Sequence, residues 1–483
     1  MQFVVWLFAA IVTGCSLHMV FHREWIGVFA YLYVLWNPIA FEKWLGTRMY
    51  RNSLSPPLLF LMLGLMLLWM NWGTPIYRRS GEKHPNLFKS IVDFGVLSLI
   101  LGSTICLVLL LKEDAEWCIP LVAFVGIFKG AMFAWKYRKW TKKLFAMGMI
   151  VVMLIPIGSG IELCKSINKK YFGVPMLNTR TEGELADFVR NVYIVDSKDQ
   201  NYEIWAPESS IDAIFSVSPT LSKDPKLLWS VKHVMFTAPD IKQKPIYGDF
   251  LTWQIRFSYE NTYGWTSETD VQNFFARANT EIKQAFDSGR LQRTTKMRLS
   301  GLLVPRDTES VAGLLPKASV LWRYSLTFEP YQETQHGNSM NQAIENIKGL
   351  ECMHVDASNP NPLMPGVDFA LAKRVSVALV KTYRLMNCSM AVITILALVA
   401  VIVQCIKKKR RSLLIAVGCV GLASYAWVYC FSVKWFSEYL HDAYIDFFYS
   451  GSVAIPFIAF SLLLGLGLFC SLVHSVHTVE TLK

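Results

Sequence analysis

The sequence is poor in charged residues, and those it has are unevenly placed. Of its 483 residues, 17% are Asp, Glu, Lys or Arg, whereas 53% are hydrophobic. Soluble domains contain about 25% charged residues, so this composition is typical of a membrane protein. The net charge of +12 lies in short basic patches beside apolar runs, as in the cytoplasmic loops of membrane proteins. Membrane lipids are therefore the expected surroundings, and no nucleic-acid partner is expected.

The sequence also lacks the motifs of several enzyme classes. It contains no GxSxG, no HExxH, no Walker loop and no CxxC. Serine hydrolases, zinc proteases, nucleotide triphosphatases and thioredoxin-like enzymes are therefore not indicated. Cys352 is the only cysteine deep inside the long polar segment 166–386, which excludes a disulfide framework there.

Long apolar runs are abundant. A bilayer core requires about 20 apolar residues per helix. The sequence predicts nine spans and hence an α-helical polytopic membrane protein, with six spans in region 1–165, an inserted α+β domain over 166–386, and three spans in region 387–483. The predicted spans are 2–21, 25–41, 56–73, 92–111, 117–135, 144–163, 388–406, 413–431 and 452–473.

The distribution of Lys and Arg predicts the orientation. If 136–143 and 407–411 face the cytoplasm, the inner side carries sixteen Lys and Arg residues and the short outer loops carry five. This asymmetry places segment 166–386, the loop 42–55 and the turn LKEDAEWCIP (111–120) outside the cytoplasm. A multi-pass membrane protein with an extracytoplasmic domain is the expected arrangement. Lys129, inside a span, is expected to snorkel to the cytoplasmic surface.

The polar segment contains two distinct predicted elements. A helix is predicted over 265–289, with Ser267 and Asp270 as a capping box and an apolar stripe of period 3.6. SVLWRYSLTFEP (319–330) is rich in aromatic and β-branched residues and is predicted to be a strand. Lys296, Arg298 and Arg306 flank SGLLVP, either in a solvated loop or facing anionic headgroups.

Three outer loops carry candidate functional residues. In 37–57, Arg48 and Arg51 could bind a phosphate, or the loop could be an interfacial helix. In LKEDAEWCIP, Glu113 and Glu116 are three apart and could act as a general base or bind a divalent metal ion. This turn could equally be a polar cap on the next span.

In 433–456, the aromatic residues could stack on a sugar or form a membrane belt, and Asp442 and Asp446 lie four residues apart. The candidate substrate-binding residues are Arg48, Arg51, Lys112, Trp435, Tyr439, Asp442 and Asp446.

Several stretches together resemble an uncharacterised family of bacterial polytopic membrane proteins that is similar to the GT-C class of lipid-dependent glycosyltransferases. They are NPIAF with RMYRN (48–52), LKEDAEW, AIFSVSPTL (213–221), GDFLTWQIRFSYENTYGW (248–265), SGLLVP and YLHDAYIDFFYSGSVAIP. The resemblance covers most of the chain and implies a GT-C-like helical core in the bacterial inner membrane, with the extracytoplasmic insert in the periplasm. In the GT-C class the first outer loop supplies the catalytic carboxylate, and this sequence starts past that loop. A shortened, inactive member and a base supplied by another polypeptide are therefore both open.

Two functions are expected from these observations. The first is transfer of a sugar from a polyprenyl-phosphate-linked donor in bacterial envelope glycan assembly, with Glu113 or Glu116 as base or ion ligand and Arg48 and Arg51 on the donor phosphate. The second is a non-catalytic component that binds, moves or scaffolds lipid-linked glycans, in contact with other glycan assembly proteins. The cofactor stays unassigned, although a divalent metal ion fits the paired carboxylates.

Overall fold

The structure is a computed structural model that describes residues 2–42, 51–71, 87–112, 114–136, 140–233, 246–332, 369–405 and 410–480. Most of these residues are helical. The helices are α1 (Gln2–Phe21), α2 (Glu24–Leu35), α3 (Arg51–Asn71), α4 (Leu87–Leu111), α5 (Cys118–Lys136), α6 (Trp140–Phe172), α7 (Glu184–Tyr193), α8 (Glu208–Val217), α9 (Pro219–Ser222), α10 (Pro225–His233), α11 (Leu251–Tyr263), α12 (Glu268–Asp287), α13 (Thr308–Thr327), α14 (Phe369–Cys405), α15 (Arg410–Ser437) and α16 (Ala443–Glu480).

Eight helices within the described ranges are long and apolar enough to cross a membrane, which supports a multi-pass membrane protein. The stretches that meet this condition are Gln2–Phe21, Ser53–Asn71, Val92–Leu111, Ala115–Trp135, Met147–Phe172, Arg374–Val403, Ser412–Leu440 and Ala443–His474. The predicted second span (25–41) is not among them. α2 has 12 residues and extends only about 18 Å, less than the roughly 30 Å of a bilayer core. The predicted count of nine spans is not confirmed.

The chain divides into two compact units. Unit 1 comprises 1–64, 323–426 and 447–483. Within it, α1 and α2 form a close helical hairpin in which Gly14 and Gly27 face each other, because a Cβ on either would meet the other's carbonyl oxygen within 3 Å. Tyr33 of α2 donates to the amide oxygen of Asn387 on α14 at 2.7 Å. Small residues and a buried hydrogen bond of this kind are typical of helix contacts inside membranes.

Unit 2 comprises 65–322 and 427–446. It contains α4, α5, α6, the polar segment up to Trp322, and the loop that follows α15. The only sheet within the described ranges is a pair of short antiparallel strands, β1 (Ile204–Ala206) and β2 (Ile246–Tyr247). The described residues of the segment, 166–233, 246–332 and 369–386, are therefore mostly helical, with far less β-structure than an α+β domain implies. Its predicted limits, 166 and 386, stay predictions.

The predicted helix at 265–289 is confirmed. α12 begins after Ser267, whose hydroxyl accepts from the Asp270 amide at 3.1 Å. The apolar stripe is buried against α7, α8 and α11 in a core that includes Phe188, Trp205 and Tyr259. Gly289, at a φ of +76°, ends the helical segment because its missing Cβ allows the left-handed conformation.

Two other predictions are wrong. Residues 319–327 are helical, in α13, rather than a strand. Leu314, Ala318 and Leu321 are buried at a spacing of three to four residues, so the helical period overrides the β-rich composition. Lys129 does not snorkel, since its side chain is 2% exposed and its amine donates to the carbonyl of Met70 at 2.6 Å.

Candidate functional site

The turn between α4 and α5 brings together charged groups at one end of two candidate spans. The Lys112 amine lies 3.7 Å from the Asp114 carboxylate, with Lys112 9% and Asp114 58% exposed. A 3₁₀ turn, Ala115–Trp117, follows and leaves Glu116 exposed. The Asp114 carboxylate accepts a hydrogen bond from the Tyr429 phenol. Glu113 lies outside the described residues, so the predicted Glu113–Glu116 pair stays a prediction.

An apolar groove of about 790 Å³ runs between α4, α5 and α6. Its walls include Leu109 of α4, Ile119 and Gly126 of α5, and Met147 and Ile161 of α6. The lining of α5 extends from Ile119 to Ala134, which is about 22 Å along a helix axis. The volume falls in the range of small-molecule pockets, about 300–1,000 Å³. The lining consists of hydrophobic residues and glycines.

Charged residues lie at one end of this groove. Lys112 directly follows the last residue of α4, and Glu116 lies in the 3₁₀ turn before α5. On α6, Lys165 follows Ile161 by four residues and continues the same face of the helix. Residues three or four apart on a helix share a face. Lys165 therefore continues the wall of the groove on α6, and Lys112 and Glu116 lie in the turn at the same end of α4 and α5.

The loop after α15 is packed into unit 2 rather than open to solvent. Trp435, 3% exposed, donates from its indole to the carbonyl of Val304 at 3.0 Å. Tyr439, 8% exposed, donates from its phenol to Asp249 at 2.9 Å. The Asp249 carboxylate also pairs with Arg180. These rings therefore lie inside the protein, and their predicted stacking on a sugar is not supported by these contacts.

A buried charged network lies beside Trp435. Glu438 accepts from both Arg306 and Lys317, and Arg306 donates to the Trp435 carbonyl at 2.9 Å. The Arg306 guanidinium lies 5.7 Å from the ring centroid of Tyr202 and 5.5 Å from that of Trp435. Arg306 is only 2% exposed, so the expectation that it lies in a solvated loop or on headgroups is wrong.

Asp442 and Asp446 have different surroundings. Asp442 is exposed, and its carboxylate accepts from the backbone amides of Tyr444 and Ile445 at the start of α16. Asp446 is 4% exposed and accepts from Lys434 at 2.6 Å and from Ser437. The first caps a helix, and the second neutralises a buried lysine. Their predicted role in substrate binding stays a prediction.

The remaining predicted site residues lie in the loop 37–57. Arg48 lies outside the described residues, and Arg51 is in α3 with a side chain outside them. Their role as phosphate ligands stays a prediction. Within the described ranges, no group of three or more His, Cys, Asp and Glu side chains could hold a metal ion.

Sequence reasoning missed Asp249, Arg180 and Tyr193 near Tyr439. Burial and the nearby Asp249 carboxylate raise the pKa of Tyr193 well above its ordinary value of 10.0, against a smaller opposing effect of Arg180. Tyr193 is therefore a neutral phenol at physiological pH. In the sequence, the position of Asp249 was marked only by the glycine before it. Gly248 has a backbone φ of +49°, which indicates a turn that favours glycine.

Comparisons with protein-family models, with curated proteins and with solved structures find no match to this chain.

Proposed function

We propose that the protein belongs to bacterial envelope glycan assembly and holds a polyprenyl-phosphate-linked sugar in the membrane. The observation that supports this function is the groove between α4, α5 and α6, apolar along its length and continued by charged residues at one end. The expected location is the cytoplasmic membrane, with the polar segment 166–386 on its outer face.

The groove matches the two parts of such a lipid. A hydrocarbon chain gains free energy when it is transferred from water to an apolar surface, at about 25 cal/mol per Å², and the groove excludes polar groups along about 22 Å of α5. A phosphate at the charged end would meet Lys165 of α6, since ammonium groups bind phosphate as point charges, whereas Lys112, with a side chain only 9% exposed, is paired with Asp114. The sugar would then lie beside Glu116.

Binding without catalysis is the better supported form of this function. Glu116 is exposed, Asp114 is occupied by Lys112 and Tyr429, and Trp435 and Tyr439 are buried. Sugar transfer is the second candidate, and the observation in its favour is the position of Glu116 at the charged end of the groove. There its carboxylate could accept the proton of an acceptor hydroxyl.

The binding function is tested with the purified full-length protein in nanodiscs and a radiolabelled polyprenyl-phosphate-sugar. Gly126→Leu would fill the groove, because an added Cβ first meets Ile150 at 4.0 Å with open space beside it. Gly421→Leu adds the same side chain on α15, where an added Cβ has no neighbour within 4 Å. We expect binding by the wild type and by Gly421→Leu, and a large loss in Gly126→Leu. Absence of wild-type binding, or equal binding by both variants, would contradict the proposal.

The transfer candidate is tested by turnover of the same donor. Glu116→Gln removes the proposed base and keeps its size, and Asp114→Asn is the matched control in the same turn. Turnover that Glu116→Gln abolishes and Asp114→Asn retains supports transfer. Binding without turnover supports the non-catalytic form.

A further inference from the structure

α13 lies beside the part of α15 that is expected to be inside the membrane. The Trp427 indole donates to the Ser319 hydroxyl at 3.0 Å. Trp427 lies within the candidate span Ser412–Leu440. The span predicted from the sequence, 413–431, has the length of a hydrocarbon core, about 20 residues, and Trp427 is about 6 Å inside its end. On this prediction Ser319, which contacts Trp427, lies beside the membrane-embedded part of α15.

The exposed face of α13 is apolar over this stretch. Leu315 and Val320 are 46% and 38% exposed. Ala312, Pro316 and Ser319 are also exposed. Leu314, Ala318 and Leu321 form the opposite, buried face. Full burial of a leucine or valine gains about 1.5–3 kcal/mol, and a helix that leaves these fractions in water loses the corresponding part of that free energy.

The charged residue on this part of α13 points away from the membrane interior. Lys317 lies two residues before Ser319, yet its amine reaches Glu438, which follows Trp427 by eleven residues. Lysines near a membrane surface extend their apolar stems in this way while the ammonium group reaches a more polar level. The contact holds the ammonium group of Lys317 away from the apolar face of α13, as in a helix that is partly immersed in lipid.

The loop between Met297 and Arg306 supports the same depth of α13 in the membrane. Met297 exchanges two backbone hydrogen bonds of 2.8 Å with Arg306, and Arg306 donates to the Trp435 carbonyl. Trp435 is about 6 Å beyond the expected end of the hydrocarbon core. Met297 and Leu299 are 52% and 45% exposed, so the loop places two apolar side chains at the level of the headgroups.

We propose that α13 is an interfacial helix whose Ala312–Val320 face is immersed in one leaflet of the bilayer. Its partner is membrane lipid, and the polar segment is thereby in contact with the membrane through α13 as well as through its connections to α6 and α14. Helices of this kind typically lie about 5–10 Å into the headgroup and acyl boundary, which agrees with the depth of Trp427. The inference does not depend on which lipid fills the groove or on which side of the membrane the segment lies.

The test uses spin labels on the full-length protein in nanodiscs of phosphatidylethanolamine and phosphatidylglycerol. Single cysteines at Leu315→Cys and Val320→Cys are introduced after the native cysteines are replaced by serine or alanine. Val428→Cys, on the exposed face of α15, is the lipid-facing control, and Lys283→Cys, on the exposed face of α12, is the water-facing control. Each label is measured for collisions with oxygen and with a nickel chelate.

We expect an oxygen-to-nickel accessibility ratio at positions 315 and 320 that is several-fold above that at 283 and close to that at 428. A ratio equal to that at 283 would overturn the proposal, since the face would then be in water. Low accessibility to both reagents would also overturn it, because a protein surface would then cover the helix. All four labels are placed in the same background without native cysteines, so a difference between positions reports their surroundings and not the folding of that background.

Discussion

Gly248 lies directly against the phenol ring of Tyr439, at a backbone φ of +49°. A Cβ at this position would overlap three atoms of the ring. The same phenol donates to Asp249, the next residue, at 2.9 Å. Two segments separated by 190 positions thus meet through a glycine that provides both the left-handed turn and the space for the ring.

Gly248→Ala is expected to destabilise unit 2 by roughly 2–5 kcal/mol, from the left-handed backbone together with an overpacked ring. Gly289→Ala is the matched control, because Gly289 has a φ of +76° and an added Cβ there has no neighbour within 4 Å. We expect it to lose only about 1–2 kcal/mol for the backbone. Thermal unfolding in detergent, followed by circular dichroism, measures both. Equal losses in the two variants would show that the Tyr439 contact does not constrain Gly248.

How far the sequence could predict this structure depends on how local each signal is. α12 is predicted correctly because its capping box and its stripe of period 3.6 lie within one segment. α13 is not predicted because the aromatic and β-branched residues of 319–330 favour a strand, whereas the burial of Leu314, Ala318 and Leu321 at helical spacing decides the structure. The contacts of Trp435 with Val304 and of Tyr439 with Asp249 join residues 131 and 190 positions apart. No local pattern specifies such a pairing, so both rings were expected at the surface.

Glu438 is the centre of a buried network, and removing its charge should be costly. Glu438→Gln leaves Arg306, which is 2% exposed, without a counter-ion, and breaking a buried pair in this way costs about 3–5 kcal/mol. The Arg306→Met, Glu438→Leu double variant should lose less than Glu438→Gln alone, because no charge then remains buried.

An exposed pair provides the control. Arg293 and Asp287 lie 3.6 Å apart with more than half of each side chain exposed, and pairs of this kind contribute about 0–1 kcal/mol. Asp287→Asn should therefore scarcely change the midpoint of chemical unfolding. A loss in Glu438→Gln no larger than that in Asp287→Asn would contradict a buried network.

Glu281 should make unit 2 sensitive to acid. Burial raises the pKa of this carboxyl, but hydrogen bonds from the Ser218 and Thr220 hydroxyls and from the Thr220 amide outweigh it and hold the pKa below the ordinary 4.5. A pKa that is lower in the folded state gives stability that is fully present above the ordinary pKa and is lost as the pH falls through the folded value.

Unfolding midpoints measured between pH 7 and about pH 3 test this effect, since the loss belongs below the ordinary pKa of the carboxyl. Glu281→Gln should unfold more easily at pH 7 and should show a smaller decline on acidification than the wild type. Glu309→Gln removes an exposed carboxylate at the start of α13 and should leave the wild-type decline in place. Parallel pH profiles for the wild type and Glu281→Gln would assign the acid sensitivity to other carboxyl groups.

Lys129 joins α5 to the last turn of α3 inside the apolar region. Its amine donates to the Met70 carbonyl at 2.6 Å and lies 4.9 Å from the ring centroid of Phe133, 5.7 Å from that of Trp69 and 5.8 Å from that of Phe94. The last carbonyls of a helix carry partial negative charge and lack partners within the helix. The ammonium group satisfies one of them, and three aromatic faces provide further electrostatic stabilisation.

Lys129→Met keeps an unbranched apolar side chain, one atom shorter, and removes the donor, so the Met70 carbonyl would be left buried without this hydrogen bond. We expect a loss of about 1–3 kcal/mol from the unsatisfied carbonyl, together with about 0.5–2 kcal/mol from the lost cation–π contacts. Lys129→Arg retains charge and donors and should lose less. The variants are ranked by the temperature at which the protein in nanodiscs aggregates, measured by size-exclusion chromatography after heating. Lys129→Met as stable as the wild type would mean that the buried charge is not needed to hold α3 against α5.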